Sequence, residues 1–209
     1  MKKLLMLACL TATISLACGT AMADSIKGRI GVTGRIGFLI PADSEDVGSG
    51  AVAVDTDASF LGGGGFIYGI GDNIAVEVDI THAEFSSHPH NVSALKDGDF
   101  ATTNVALGAQ YRFINLPITK LVPYAGAGID ILINDFRTDS GERRDVDTVL
   151  GAQLVGGVDY FIMKQLAITG EIKGVLAPNS DIKDPSGQKI GSFDPSSVTV
   201  TGGVRYFFN

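Results

Sequence analysis

Residues 25–40, SIKGRIGVTGRIGFLI, alternate between two kinds of side chain along their whole length. The even positions carry apolar residues or glycine, whereas Lys27, Arg29 and Arg35 all fall at odd positions. A period of two is what a β-strand with two unlike faces requires. Alternation over about fifteen residues is long for a globular sheet and suits a tilted strand that crosses a bilayer. We therefore expect a strand with one apolar face and one basic face.

The first residues have the layout of a secretory signal peptide. Lys2 and Lys3 form a basic start, an apolar run follows, and the small residues Ala21 and Ala23 suit a cleavage site. We expect cleavage after Ala23, with residues 1–23 as the signal peptide and residues 24–209 as one barrel domain. A transmembrane helix is disfavoured because the apolar run is short and interrupted by Thr and Ser. A lipoprotein signal at Cys18 is disfavoured because Ser15 stands where an aliphatic residue is expected.

Cysteine usage and charge exclude several classes of function. Both cysteines, Cys9 and Cys18, lie in the leader, so the mature chain is predicted to have no disulfide, no cysteine metal ligand and no cysteine nucleophile. The formal charge of −7 becomes about −9 when the two leader lysines are removed. Nucleic acid is therefore not expected as a partner. A hydrophobic fraction of 45% is ordinary for a soluble protein, but the signal of a membrane barrel is weak in composition.

The alternation of the opening segment returns seven more times along the chain. The further segments are residues 60–70, 74–81, 104–113, 121–134, 150–160, 166–176 and 198–208. No segment of helical period lies between them. The predicted fold class is therefore all-β, an eight-stranded antiparallel up-and-down barrel.

Two barrels fit this pattern, a soluble one with the apolar face inside and an outer-membrane one with the apolar face outside. Short connections at residues 71–73, 115–119 and 163–165 alternate with long ones, which is typical of outer-membrane barrels. Six basic and five acidic residues share the polar face and nearly cancel, which suits a confined interior. They are Lys27, Arg29, Arg35, Arg112, Lys173 and Arg205 with Glu77, Asp79, Asp130, Asp159 and Glu171. We expect the charges to point inward and the isoleucines to face lipid.

Several stretches resemble a known family. GGVRYFFN at residues 202–209 is similar to the closing segment of bacterial outer-membrane barrels. RIGFLIP at 35–41, GDNIAVEVDI at 71–80, PYAGAGIDI at 123–131 and GGVDYFIMKQLAIT at 156–169 resemble the OmpW family of small outer-membrane β-barrel proteins. The resemblance covers nearly the whole mature chain. It implies eight strands and a narrow channel for small hydrophobic molecules. A gate built on Trp cannot be transferred, because this chain has no Trp.

The interior of an eight-stranded barrel is just wide enough to be filled by side chains, which excludes a wide pore. Taking the N-terminus as periplasmic, we expect a charged plug in the inner half and an outer vestibule above it. The charged plug comprises Arg29, Glu77, Asp79, Arg112, Asp159, Glu171 and Arg205. The outer vestibule comprises the apolar residues Leu39, Leu61, Phe85, Leu132, Val149 and Val175. The vestibule either holds a small hydrophobic solute or merely packs beneath the loops.

A few single residues suggest other functions. His82, His88 and His90 lie near one loop and could bind a metal weakly, but histidines on a loop are more often solvated. His82 with Ser86 or Ser87 could form a lipid-hydrolase site, but no acidic partner can be placed beside them. We expect no catalytic residue, no resident metal and no cofactor. The alternative function is a surface adhesin, receptor or structural barrel that acts through its extracellular loops.

The expected location is the outer membrane of a Gram-negative bacterium, reached through the periplasm. The expected partners are outer-membrane lipid and lipopolysaccharide, the barrel-insertion machinery and a small hydrophobic solute. The working unit is expected to be a monomer.

Overall fold

The computed structural model describes residues 25–42, 54–56, 59–89, 98–115, 120–138, 143–145, 148–183 and 189–208. Within these ranges the chain forms twelve strands. They are β1 Ile30–Pro41, β2 Val54–Thr56, β3 Ser59–Gly69, β4 Ile74–Pro89, β5 Gly98–Arg112, β6 Leu121–Thr138, β7 Arg143–Asp145, β8 Val149–Phe161, β9 Leu166–Leu176, β10 Ser180–Lys183, β11 Lys189–Phe193 and β12 Ser197–Phe207. The described part contains no helix that is long and apolar enough to span a bilayer.

Eight of these strands form a closed antiparallel barrel. Around the wall their order is β1, β3, β4, β5, β6, β8, β9 and β12, and β12 pairs with β1 to close the sheet. The closing pair runs from Gly31 opposite Phe207 to Pro41 opposite Ser197. The eight-stranded up-and-down barrel predicted from the sequence is therefore confirmed.

The strands extend beyond the predicted segments at the end of the barrel that carries the long connections, here called the loop end. β4 and β5 continue to pair as far as Ser87 opposite Gly98, where a loop was expected. The short strands β2 and β7 extend the wall beside β4 and β6, and β10 and β11 form a hairpin within the long connection between the predicted segments 166–176 and 198–208. Alternation marks contact with lipid and not strand structure itself, so it fades where the hairpins leave the bilayer.

The outer face of the barrel is apolar. Ile36 and Ile80, for example, are more than half exposed. Near the short turns, here called the turn end, lie exposed aromatic residues, among them the edge-to-face pairs Tyr111–Phe113 and Tyr206–Phe208. An apolar band with an aromatic girdle is typical of outer-membrane barrels. The expected orientation, with the apolar face outward, is confirmed.

The turn end of the lumen is closed by apolar side chains. Ile26, Ile67, Val122, Phe161 and Phe207 are each at most 1% exposed and pack together, and we call them the apolar floor. The rings of Phe161 and Phe207 stack with their centroids 5.8 Å apart. Gly28 places Ile26 in this cluster, because its φ of 74° allows the tight turn before β1.

Candidate functional site

A network of buried ion pairs lies directly above the apolar floor. Arg205 Nη1 donates to Asp159 Oδ2 at 2.9 Å, and Arg205 Nη2 donates to Glu77 Oε1 at 2.9 Å. Arg112 Nη2 donates to the same Asp159 oxygen at 2.6 Å. Two arginines thus hold one aspartate, which satisfies charges that would otherwise be costly to bury.

A second group of ion pairs continues the network toward the loop end. Arg35 Nη2 donates to Glu77 Oε1 at 2.6 Å, and Arg35 Nη1 donates to Glu171 Oε1 at 2.6 Å. Asp79 lies between two cations, with Arg35 Nε at 3.4 Å and Lys173 Nζ at 3.5 Å. We call these eight residues the ion-pair network: Arg35, Glu77, Asp79, Arg112, Asp159, Glu171, Lys173 and Arg205.

Glycines on neighbouring strands make room for these long side chains. Arg35 stands between Gly63 of β3 and Gly203 of β12. Tyr124 lies over Gly157, where a Cβ atom would come within 2.4 Å of the ring. From there Tyr124 Oη donates to Glu171 Oε2 at 2.9 Å, and the guanidinium groups of Arg112 and Arg205 lie 5.7 and 5.5 Å from its ring centroid. The glycines of the lumen face therefore shape the network.

The outer vestibule is a narrow cavity above the network. Its volume is about 30 Å³, space for about two water molecules. Leu39, Leu61 and Leu132 form the apolar part of its wall, and Thr81, Thr102 and Asn104 are among the polar residues that line the rest. Arg35, Glu171 and Lys173 form the base. A second cavity of about 30 Å³ lies on the other side of Arg35, Glu171 and Lys173, so these three residues separate the two.

An apolar depression marks the outer wall at the loop end. It has a volume of about 680 Å³ and is lined mainly by small or apolar residues, including Ala152, Leu154 and Gly174. We call it the side depression. Pro41, Ser196 and Ser197 line both the side depression and the outer vestibule, so the wall between the two is one residue thick there.

Six of the seven residues predicted for the charged plug are buried members of the ion-pair network. Arg29 lies lower, at the turn end, where its guanidinium donates to Lys164 O at 3.1 Å and lies 5.3 Å from the ring centroid of Phe207. Lys27 is mostly exposed beside Asp72. Both residues occupy odd positions, which predicted side chains inside the lumen. They precede β1, however, and so lie at the turn end and not within the lumen. Arg35 and Lys173 belong to the network but were not included in the predicted charged plug. Their odd positions, on the polar face of the strands, could have identified them.

The residues predicted for the outer vestibule are spread more widely. Leu39, Leu61 and Leu132 line the vestibule, whereas Val175 lines the side depression. Val149 is half-buried and lines neither among the described residues, because it begins β8 at the rim. The side chain of Phe85 lies outside the described residues. The apolar floor was not predicted, although the odd positions of Ile67, Phe161 and Phe207 beside the short turns were visible in the sequence.

Among the residues considered for metal binding or hydrolysis, His82 has a described side chain, and it points away from the lumen. His82 is exposed on the outer face, and its Nδ1 lies 2.9 Å from Thr103 Oγ1. The side chains of Ser86, Ser87, His88 and His90 fall outside the described residues. Within the described ranges, no group of three or more His, Cys, Asp or Glu side chains is arranged to hold a metal ion.

The closed barrel, its apolar outer face and its charged lumen define an outer-membrane β-barrel protein. Residues 9–208 match the family described as outer membrane protein beta-barrel domain, and the chain belongs to that family. It is a protein of the bacterial outer membrane. A search of curated proteins finds no match.

Solved structures with the same fold come from small outer-membrane barrels. The chain is similar to OprG from Pseudomonas aeruginosa, with a TM-score of 0.71, 15% identity and coverage of 90% of this chain and 99% of OprG. Outer membrane protein AlkL gives a TM-score of 0.56 at 17% identity, covering 91% and 95% of the two chains. E. coli outer membrane protein W gives 0.53 at 21% identity, covering 87% and 98%. These neighbours agree with the OmpW-family resemblance of the sequence and share its fold.

Proposed function

We propose that the protein passes small hydrophobic molecules from the cell exterior into the outer membrane, through the outer vestibule and the side depression. The observation that carries this proposal is the shared lining of the two spaces by Pro41, Ser196 and Ser197. An apolar solute that enters the vestibule has lipid on the other side of this thin wall.

A path straight through the barrel is disfavoured on two counts. The ion-pair network would have to break, which costs several kcal/mol for each unpaired buried charge. Below it, the apolar floor is closed by stacked Phe161 and Phe207. A sideways exit avoids both layers.

Beyond the ends of the strands, single hydrogen bonds hold the wall beside the vestibule. β9 ends at Leu176, and beyond it the Ser196 hydroxyl bridges to the backbone of Ala177 with contacts of 3.2 and 3.3 Å. On the other side, Pro41 has no N–H to donate, and Ala42 N donates to Ser196 O at 2.8 Å. Small shifts of these residues would connect the vestibule to the side depression.

Uptake of a small hydrophobic fluorophore into liposomes that contain the protein tests the proposal. One variant combines Leu61→Asp and Leu132→Asp to make the vestibule polar. A second, Gly174→Leu, fills the side depression, because Gly174 lines it and a Cβ atom there meets no atom within 4 Å. Gly202→Leu is the matched control, since Gly202 also faces outward with open space but lies outside the side depression.

We expect uptake above empty liposomes for the unchanged protein and for Gly202→Leu, and a loss in the other two variants. Full uptake by Gly174→Leu would refute the sideways exit while leaving the vestibule intact. Uptake no faster than in empty liposomes, with the barrel folded, would refute transport and favour the adhesin or receptor alternative.

A further inference from the structure

The enclosed titratable groups of the lumen do not balance in charge. Among the described residues, four basic side chains are buried, namely Arg35, Arg112, Lys173 and Arg205. Five acidic side chains are buried with them, namely Glu77, Asp79, Asp130, Asp159 and Glu171. Lys27 and Arg29, which brought the sequence count close to balance, lie at the turn end. The enclosed lumen would therefore carry a surplus negative charge if every carboxyl group were ionised.

Asp130 of β6 is the carboxyl group without a cation beside it. It is 0% exposed, and no Lys or Arg nitrogen of the described residues lies within 4 Å of its oxygens. Lys173 acts on Asp130 electrostatically, but its Nζ lies 3.5 Å from Asp79 Oδ2. Behind Lys173, Arg35 is shared between Asp79 and Glu171. An ionised carboxylate buried without a paired charge is costly, and protonation removes that cost.

The strands on either side of Asp130 bring no charge to it. On β5, Ala106 stands directly opposite and Asn104 lies two residues along. On β8, Gly151 stands directly opposite and Gln153 lies two residues along. The nearest side chains in the wall are therefore two neutral amides, which can bind either form of the acid but compensate no charge.

The hydrogen bonds around Asp130 lack one donor. Asn104 Nδ2 donates to Asp130 Oδ1 at 2.6 Å. Asp130 Oδ2, Asn104 Oδ1 and Gln153 Oε1 are buried acceptors that have no partner among the described residues. The amide of Gln153 lies over Gly128, two residues from Asp130 on the same strand, since its nitrogen would be 2.7 Å from a Cβ there. A proton on Asp130 Oδ2 turns one of these three acceptors into a donor.

We propose that Asp130 is a proton-binding site and that the folded barrel holds it as the neutral carboxylic acid, with Oδ2 donating to a neighbouring amide oxygen. The bound proton leaves four positive and four negative groups in the enclosed lumen. It also leaves Lys173 to Asp79, so that Arg35, Glu171 and Lys173 stay together as the partition between the two cavities. Loss of the proton would give Lys173 a second carboxylate that competes for it. This site does not depend on the solute path.

Infrared spectroscopy of the full chain, in a detergent that has no carbonyl group, detects the proton directly. The carbonyl stretch of a neutral carboxylic acid is separate from the bands of carboxylates and amides. We expect such a band from the unchanged protein at neutral pH and its loss in Asp130→Asn. Asp135→Asn is the matched control, because Asp135 lies on the same strand but is exposed, and the band should remain.

The pH dependence of thermal unfolding provides a second measurement. At neutral pH the unfolded chain releases the proton, so the folded barrel binds one proton more and loses stability as the pH rises. Asparagine reproduces the shape and the donor of the neutral acid without binding a proton. Asp130→Asn should therefore unfold at a higher temperature than the unchanged protein, and the difference should widen from mildly acidic to mildly alkaline pH. Asp159→Asn should lower the midpoint, because it removes the charge that Arg112 and Arg205 share.

A spectrum of the unchanged protein without the carboxylic acid band would overturn the proposal, even if the variants did not fold. A band that survives in Asp130→Asn would do the same, because it would assign the proton to another carboxyl group. A lower midpoint for Asp130→Asn at alkaline pH, as expected for Asp159→Asn, would mean that Asp130 is ionised and that Lys173 compensates it.

Discussion

Arg205 of β12 and Asp159 of β8 meet across the lumen at 2.9 Å, with neither side chain exposed. Their strands are not neighbours, because β9 lies between them in the wall. Backbone hydrogen bonds join only adjacent strands, so this contact constrains the cross-section in a way that the sheet alone does not. The ion-pair network is thus both the filling of the barrel and a set of cross-braces.

Removal of one partner of this pair should strongly destabilise the barrel. Arg205→Met leaves Asp159 and Glu77 without a shared cation, and breaking a buried pair costs about 3 to 5 kcal/mol. Urea unfolding in lipid vesicles measures the loss. Lys27→Met is the control, because Lys27 and Asp72 form an exposed pair that contributes little. Equal stability of the two variants would contradict a bracing role.

The run of glycines in β3 should tolerate alanine at one position and reject it at the next. A Cβ at Gly63 would lie 2.2 Å from the carbonyl oxygen of Ile80, whereas a Cβ at Gly62 meets nothing within 4 Å. We therefore expect Gly63→Ala to lower the folding yield and Gly62→Ala to leave it unchanged. Heat-modifiable mobility on gels reports the folded fraction. A folded, stable Gly63→Ala would show that β4 can move away.

Arginine on the outer face should destabilise according to depth. Leu107 lies on the outer face within β5, and Phe113 lies in the aromatic girdle just after the same strand. Leu107→Arg is expected to cost about 2 to 4 kcal/mol, and Phe113→Arg about 0 to 1 kcal/mol. Reversible unfolding in vesicles distinguishes them. A larger destabilisation by Phe113→Arg than by Leu107→Arg would mean that the bilayer midplane lies nearer the turn end.

Removal of the apolar floor should weaken the barrel without opening it. In Phe161→Ala with Phe207→Ala, two buried stacked rings are lost, each worth about 3 to 5 kcal/mol when truncated. The ion-pair network above still blocks the lumen, so conductance in planar bilayers should stay at the level of the unchanged protein. Increased conductance would identify the floor as the barrier to ions.

The sequence predicted the strands of the barrel wall better than the contacts among the side chains inside it. Alternation identifies the barrel strands because every outward residue meets the same apolar solvent. Inward residues meet each other, and phase does not state which of them touch. Arg29 and Arg35 have the same phase, yet one lies beside Lys164 at the turn end and the other joins three carboxylates.

The alternation also does not predict how far along the barrel axis a lumen residue lies. The turn at Gly28 brings Ile26 into the floor, and a single positive φ leaves no periodic trace. The strands at the loop end leave the bilayer, so apolar and polar residues no longer alternate along them. The pattern therefore did not predict β2, β7, β10 and β11. The resemblance to the OmpW family implied a function. It did not predict the side depression, because that depression depends on where β9 ends.

The pairing of β12 with β1 couples closure of the wall to the filling of the lumen. The same strand that closes the wall also delivers Arg205 to Glu77 and Asp159, and Phe207 to the floor. Without β12 the wall has two open edges, and Glu77 and Asp159 keep one arginine each, Arg35 and Arg112. Wall closure, completion of the ion pairs and sealing of the turn end therefore all depend on this one strand.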